Sequence, residues 1–203
     1  MTATDPAFQG LVRIYTDAHP ASERKSATVL SRMIERPNYL FLVAIEKDTV
    51  IGFSITLCFA DCNACLLEYM AVDAKRRGHS AGRFLFDEVR KRPELIGRFL
   101  LMEVDSDKKP TEDKADRIRR KAFYGRLGCK EIAGFDYLMP AISTTAPPDM
   151  DILVYSERLP ASIQLPMLRH WMQCCYIEVY GRLASDPQIE AMLRDLPENL
   201  RLI

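Results

Sequence analysis

Leu66-Leu67-Glu68-Tyr69-Met70-Ala71-Val72-Asp73-Ala74-Lys75-Arg76-Arg77-Gly78-His79-Ser80-Ala81-Gly82-Arg83 reads as an apolar strand, a polar loop carrying glycines, and the opening of an amphipathic helix. Ala81, Phe84, Leu85 and Val89 recur at i, i+3, i+4 and i+8, the spacing of one helical face. A loop of this kind leaves backbone N–H groups at the helix N-terminus without partners. Together with the positive end of the helix dipole, they make an anion site matched to a pyrophosphate. Taken alone, the segment leaves an ordinary strand-to-helix turn equally open.

Outward from this stretch the chain alternates between the two periods. Phe8, Leu11, Val12, Ile14 and Tyr15 predict a helix from Asp5 to about His19, stopped by Pro20. A second helix is predicted from Ala27 to Glu35. Tyr39 to Glu46 reads as a strand, Lys47-Asp48 as a turn and Val50 to Phe59 as the next strand. After the helix from Ala81 to Arg90, Pro93 breaks the pattern and Arg98 to Val104 forms a strand. Thr111 is the expected cap of a further helix, with Glu112 and Asp113 favouring its positive end. That helix is expected to turn Ile118, Ala122, Phe123 and Leu127 inward and to end at Gly128. Strands from Lys130 to Met139 and from Asp151 to Tyr155 would close the sheet. From Pro160, Leu165, Leu168, Met172, Cys175, Val179 and Leu183 form an amphipathic stripe, and Asp186-Pro187 opens a short helix to about Leu196. These final helices are read as part of the same core, with a homodimer interface or an acceptor-site wall as the sharper roles.

This order gives an α/β (α+β) fold: a mixed central sheet flanked by helices, with an added C-terminal helical segment. Residues 1–159 are expected to form the main domain and 160–203 a helical extension packed on it. Lys plus Arg and Asp plus Glu both number 28, so the chain lacks the basic excess of a nucleic-acid binder. The first ten residues lack a secretory apolar run, and Tyr39 to Ile45 is too short to span a bilayer. A cytoplasmic protein with no membrane partner is the expectation.

The six cysteines stand at 58, 62, 65, 129, 174 and 175. Cys62-x-x-Cys65 has the spacing of a zinc or redox pair, and Cys58 is an eligible third ligand. A tetrahedral site needs four ligands, and no second pair follows at finger spacing. Cysteines in a hairpin between two strands are the competing reading, with no metal expected.

Two motifs resemble the GNAT superfamily of acyl-CoA-dependent N-acyltransferases. The first is the coenzyme A loop, Arg/Gln-x-x-Gly-x-Gly/Ala after a strand ending in an apolar-Asp pair. Val72-Asp73, Arg77, Gly78 and Gly82 match it. Ser80 stands at the family's usual first glycine, and a serine demands more ordinary backbone angles. The second is Ala122-Phe123-Tyr124-Gly125-Arg126-Leu127-Gly128-Cys129, similar to the family's Phe-Tyr-x-x-x-Gly-Phe. Arg117 replaces the asparagine the family places before that tyrosine, and Met1 to Thr4 do not supply its opening strand.

The resemblance implies acetyl-CoA as acyl-donor co-substrate. Pantetheine would lie between the parting strands and bond to the backbone of Met70, Ala71 and Val72. The pyrophosphate would rest on the amides of Arg77, Gly78, His79, Ser80, Ala81, Gly82 and Arg83. It also implies Tyr124 as the acid that protonates the departing thiolate. A lysine-like amine is neutral only about once in 2,500 molecules at pH 7, a cost of about 4.6 kcal/mol. A carboxylate acting through water would relieve this. Glu68, on an otherwise apolar strand, is the first candidate, with an ion pair to Arg or Lys as its structural alternative. Glu103 is the reserve base. Glu23 and Arg24 join it as candidate acceptor contacts, with a solvated loop as their alternative. The basic cluster Arg117, Arg119, Arg120, Lys121 and Arg126 is read as a solvated helix face, one or two of whose members could meet a coenzyme phosphate. The partner would be a small-molecule or peptide amine. A non-catalytic acyl-CoA-binding module and a metal or redox protein remain the rivals from other classes.

Overall fold

The Asp5 carboxylate accepts the Ala7 amide at 2.8 Å, and Pro6 follows at a position whose N–H needs no acceptor. These two residues start helix α1, Pro6–Ala18, which buries Phe8, Leu11, Ile14 and Tyr15. The structure is a computed structural model and describes residues 1–19, 24–78, 80–141 and 147–203. Met1 to Thr4 form no strand.

The described residues divide into two units. The first comprises Met1–Ala60 and Leu67–Ile96, the second Asp61–Leu66 and Gly97–Ile203. In the first unit, α2 (Ala27–Met33) starts where the Ser26 hydroxyl accepts the Val29 amide. Strands β1 (Tyr39–Glu46) and β2 (Thr49–Cys58) pair antiparallel, from Tyr39 opposite Leu57 to Glu46 opposite Thr49. Lys47 and Asp48 join them with φ of 46° and 61°, the left-handed pair a two-residue hairpin demands. Helix α1 lies on β2 at close range: a Cβ at Gly10 would stand 2.6 Å from a Val50 methyl. Strand β3 (Ala64–Val72) leads through a 3-10 turn at Ala74–Arg76 into α3 (Ala81–Arg90), which buries Leu85, Phe86 and Val89.

In the second unit, Ala64–Leu66 of β3 pair parallel with Phe99–Leu101 of β4 (Phe99–Asp105). Strand β4 pairs antiparallel with β6 (Met150–Tyr155), and β6 with the short β5 (Lys130–Glu131). The resulting order, β1-β2-β3-β4-β6-β5, is a mixed and mostly antiparallel sheet. Helix α4 (Lys114–Arg126) precedes β5. Strand β7 (Ser162–Gln164), α5 (Leu165–Glu178), α6 (Pro187–Leu193) and β8 (Asn199–Arg201) complete the chain, with β7 and β8 paired antiparallel. No helix among the described residues is long and apolar enough to cross a membrane.

Helix α4 corrects the sequence expectation twice. Its cap position is Asp113, and the Thr111 carbonyl only accepts the Lys114 amide in the preceding turn. Its inward face carries Arg117, Lys121 and Tyr124, while Ile118 and Ala122 are exposed. The reason is electrostatic. The Asp151 side chain is only 2% exposed and needs cationic partners. Lys121 Nζ meets Asp151 at 2.9 Å, Glu131 at 2.7 Å and Asp107 at 2.9 Å, and Lys108 reaches Asp151 and Glu131 as well. Burial works against ionisation of Asp151, yet hydrogen bonds from Lys108, Lys121 and Ser106 hold its carboxyl below the usual range. Arg117 and Lys121 are therefore not a solvated helix face.

The segment 130–139 also departs from expectation. Only Lys130–Glu131 form a strand there, with isolated bridges from Ile132 to Leu202 and from Tyr137 to Met150. The sheet edge is taken by the chain's last residues, where Glu131 and Ile203 exchange both backbone hydrogen bonds. The α5 stripe buries Leu168, Met172 and Cys175 as expected, with Trp171, Cys174 and Tyr176 beside them. Leu183 lies beyond α5 and is 74% exposed.

Candidate active site

Asp73 pins the end of β3. Its amide donates to the Ile51 carbonyl, its Oδ1 accepts the Lys75 amide at 3.0 Å, and its Oδ2 accepts from Arg13 at 2.9 Å. The Arg13 hydrogen bond, and then the Lys75 N–H, hold its carboxyl below the usual range. Arg77 Nε reaches back to the Val72 carbonyl at 3.4 Å. Gly78 then takes φ +87°, with no atom within 4 Å of where a Cβ would stand. Backbone conformation, not crowding, is what requires glycine there. A cleft of about 190 Å³ lies beside this turn, lined by Arg13, Ile14, Asp17, Val72, Lys75 and Arg77.

Ser80 opens α3 at φ 63°, ψ 0°, and its side chain makes no capping hydrogen bond. Its carbonyl accepts the Phe84 amide at 2.9 Å and closes the first turn. The amides of Ala81, Gly82 and Arg83 precede Phe84, the first intrahelical donor, so they stand at the helix end where an anion is favoured. Ser80 thus overturns the expectation of ordinary angles, since it holds the left-handed conformation itself. That conformation costs a side-chain-bearing residue about 1–2 kcal/mol, against about 0.5–1 kcal/mol of extra chain entropy for glycine. Ser80→Gly is therefore expected to raise the melting temperature by about 1–4 °C. A melting temperature that falls would show that the hydroxyl makes a contact worth more than the strain. His79 lies outside the described residues. Met70, Ala71 and Val72 are the half-buried end of β3, and Arg83 is exposed and faces Asp87 at 3.7 Å.

Glu68 is ion-paired to Lys25, a partner that its place in a short polar loop gave no sign of. The Glu68 side chain is 3% exposed and that of Lys25 23%. Glu68 Oε2 is buried with no hydrogen-bond partner among the described residues. Lys25 also stands 5.5 Å from the centre of the Tyr69 ring, which packs edge-on against Tyr15 at 4.9 Å. The Tyr15 hydroxyl accepts the Lys25 amide at 2.7 Å, and burial pushes that phenol up. A second cleft, of about 280 Å³, lies between α1 and α2 and is lined by Tyr15, Thr16, Arg24, Lys25, Ser26 and Leu30. Arg24 lines it while donating to the Thr16 carbonyl at 2.9 Å. Glu23 lies outside the described residues. Met70 to Gly78, Ser80 to Arg83, Glu68 and Arg24 all belong to the first unit, and Tyr124 and Glu103 to the second.

Tyr124 is 7% exposed, and burial pushes its phenol well above the ordinary value. Its ring meets Phe123 at 5.2 Å, and Gly128 ends the helix at φ +89°. Glu103 on β4 accepts hydrogen bonds from Tyr137 and, at 2.8 Å, from Tyr180. Both tyrosines were missed in the sequence, because they lie 34 and 77 residues away along the chain.

All six cysteines are buried, and none is in a disulfide. Arg98 donates to the Cys62 carbonyl at 3.2 Å and points a second N–H at Cys65 Sγ, 3.6 Å away. A hydrogen bond with Cys174 of α5 lowers the Cys62 thiol and raises that of Cys174. Among the described residues, no group of three or more His, Cys, Asp or Glu side chains could hold a metal ion.

No sequence-family profile and no curated protein sequence matches the chain. Solved structures do. A protein from Bacteroides thetaiotaomicron described as a GNAT-family acetyltransferase superposes with a TM-score of 0.71 at 20% identity, over 89% of this chain and 96% of its own. An aminoglycoside 6′-N-acetyltransferase complexed with coenzyme A gives 0.55 at 19% identity, over 77% of this chain and 95% of its own. Arabidopsis thaliana NAA60 in complex with acetyl-CoA gives 0.57 at 15% identity, over 74% and 94%. By these superpositions the chain has the fold of the GNAT acetyltransferases.

Proposed function

We propose that this protein is an acyl-CoA-dependent N-acyltransferase that uses acetyl-CoA and a primary amine acceptor. The observation that carries this reading is the turn from β3 into α3, where positive φ at Gly78 and Ser80 delivers an uncapped helix end. Bound acetyl-CoA supplies a thioester open to direct attack by a neutral amine, and no cysteine nucleophile is required. In this reading the amides from Arg77 to Arg83 hold the pyrophosphate, and the backbone of Met70 to Val72 orients the pantetheine arm. Arg24 faces the acceptor, with Glu23 beside it in the sequence.

Tyr124 protonates the leaving sulfur. Its phenol is held above about 10, while a thiol sits near about 8.5, so a pre-formed thiolate would not take the proton at equilibrium. The transfer must accompany C–S cleavage, when negative charge is building on sulfur. Glu68 accepts the amine's proton through water at Oε2, the oxygen left over from its hydrogen bond to Lys25.

Acetyl-CoA titration by calorimetry, followed by thiol-release assays against amines, amino acids, polyamines and peptides, tests the proposal. Gly82→Asp puts a carboxylate where the pyrophosphate would sit and should weaken acetyl-CoA binding by more than about tenfold. Unchanged affinity in a folded variant would overturn the assignment of this loop. Binding with no turnover of any amine would make the protein a coenzyme sensor instead.

A further inference from the structure

Gly10 seats α1 against Val50 of β2, and three residues further along α1 the Arg13 guanidinium returns to the same residue. Its Nη2 donates to the Val50 carbonyl at 3.1 Å and its Nη1 to Asp73 Oδ2 at 2.9 Å. One planar group thus joins α1, β2 and the residue at which β3 stops. Asp73 divides its two oxygens: Oδ1 accepts the Lys75 amide inside the turn, and Oδ2 takes the guanidinium from outside it.

Little else holds the turn. From Ala74 to Gly78, the pair of Arg76 with Glu46, both exposed, is the one hydrogen bond or ion pair among the described residues that reaches beyond Val72 and Asp73. On the α1 side the turn is not packed. A cleft of about 190 Å³ separates Ile14, Asp17 and Ala18 from Val72, Lys75 and Arg77. Arg13 and Asp73, which also line the cleft, join its two sides. The Arg13 side chain is 48% exposed and that of Asp73 18%, and an ion pair so open to water adds little to global stability. Its value lies in geometry. A loop already fixed in its bound conformation loses less freedom when it closes on a ligand, and affinity rises accordingly.

We propose that Arg13 is a positioning residue for the coenzyme. Acting through Asp73, it pre-orders the turn after β3, so that the amides at the start of α3 stand ready for the pyrophosphate. This rests on the coenzyme-loop reading above and adds to it a residue of α1 that lies outside the loop motif.

Calorimetry with acetyl-CoA on the wild-type protein and three variants tests this. Arg13→Met should weaken binding by about fivefold or more. Asp73→Asn should weaken it as much, because one amide oxygen cannot answer both the Lys75 amide and the guanidinium. The double variant should lie within about twofold of either single one, since all three break the same link. Were Arg13 merely a charge near the anion, Asp73→Asn would remove a repelling carboxylate and tighten binding. In turnover, the loss should fall on KM for acetyl-CoA far more than on kcat. Melting temperatures should drop by no more than about 4 °C. Without coenzyme, amide hydrogen exchange in the turn should quicken in Arg13→Met, while the β1–β2 hairpin keeps its protection. Affinity within about twofold of wild type in a folded Arg13→Met variant, or tighter binding by Asp73→Asn, would overturn the proposal and leave the coenzyme loop standing. Failure of the wild-type protein to bind acetyl-CoA would bring down both. Binding without turnover of any amine would overturn the acyltransferase reading alone, because the affinities still decide the role of Arg13.

Discussion

Tyr124→Phe is expected to leave acetyl-CoA affinity in place and to lower turnover by about 10²–10⁴-fold, the range for a lost general acid. The substitution keeps the ring that packs at the end of α4 against Phe123 and removes only the hydroxyl. Burial holds the phenol above its ordinary value, so the proton is present across the neutral range and past about pH 10. Turnover in the wild-type protein should consequently show no alkaline loss from Tyr124 below that point. Any fall at lower pH values belongs to another group. A variant that keeps turnover within about threefold of wild type would make Tyr124 a packing residue and pass the donor role to water.

Lys25→Met is expected to be strongly destabilising. It strands the Glu68 carboxylate, 3% exposed, without its cation, and breaking a buried pair in this way costs about 3–5 kcal/mol. For a chain of 203 residues this amounts to a melting temperature lower by about 10 °C. Glu68→Gln should cost less, about 1–3 kcal/mol, because the amide oxygen still accepts from Lys25 and that ammonium, 23% exposed, reaches water. Equal losses from the two variants would contradict this asymmetry of burial. The same Glu68→Gln variant addresses catalysis. If Glu68 takes the amine's proton, acylation should slow most at low pH, where the acceptor is almost wholly charged. It should partly recover as pH rises and neutral amine becomes available. A rate defect of constant size across pH would leave Glu68 only its role in holding Lys25 to β3.

The parts of this protein legible in the sequence are those set by neighbours along the chain. The boundaries of β1 at Tyr39 and Glu46, and of α3 at Ala81 and Arg90, were read directly, because periodicity and turn residues act over a few positions. The polar turn after Val72-Asp73 was read for the same reason. Its backbone was not, because Ser80 takes a left-handed angle that its residue type disfavours and that only the surrounding loop can impose. Helix α4 was misread because its inward face is charged. Lys121 is drawn inward by Asp107, Glu131 and Asp151, whose convergence no local pattern announces. Residues 130–139 carry strand-like composition, yet Ile203 and the residues beside it occupy the edge that would have extended β5. The candidate chemistry divides in the same way. Gly78, Gly82 and Tyr124 could be picked out by motif. Pairing Glu68 with Lys25, and Glu103 with Tyr137 and Tyr180, spans 34 to 77 residues of chain and was decided by tertiary packing, which alone sets the partners of a carboxylate withdrawn from water.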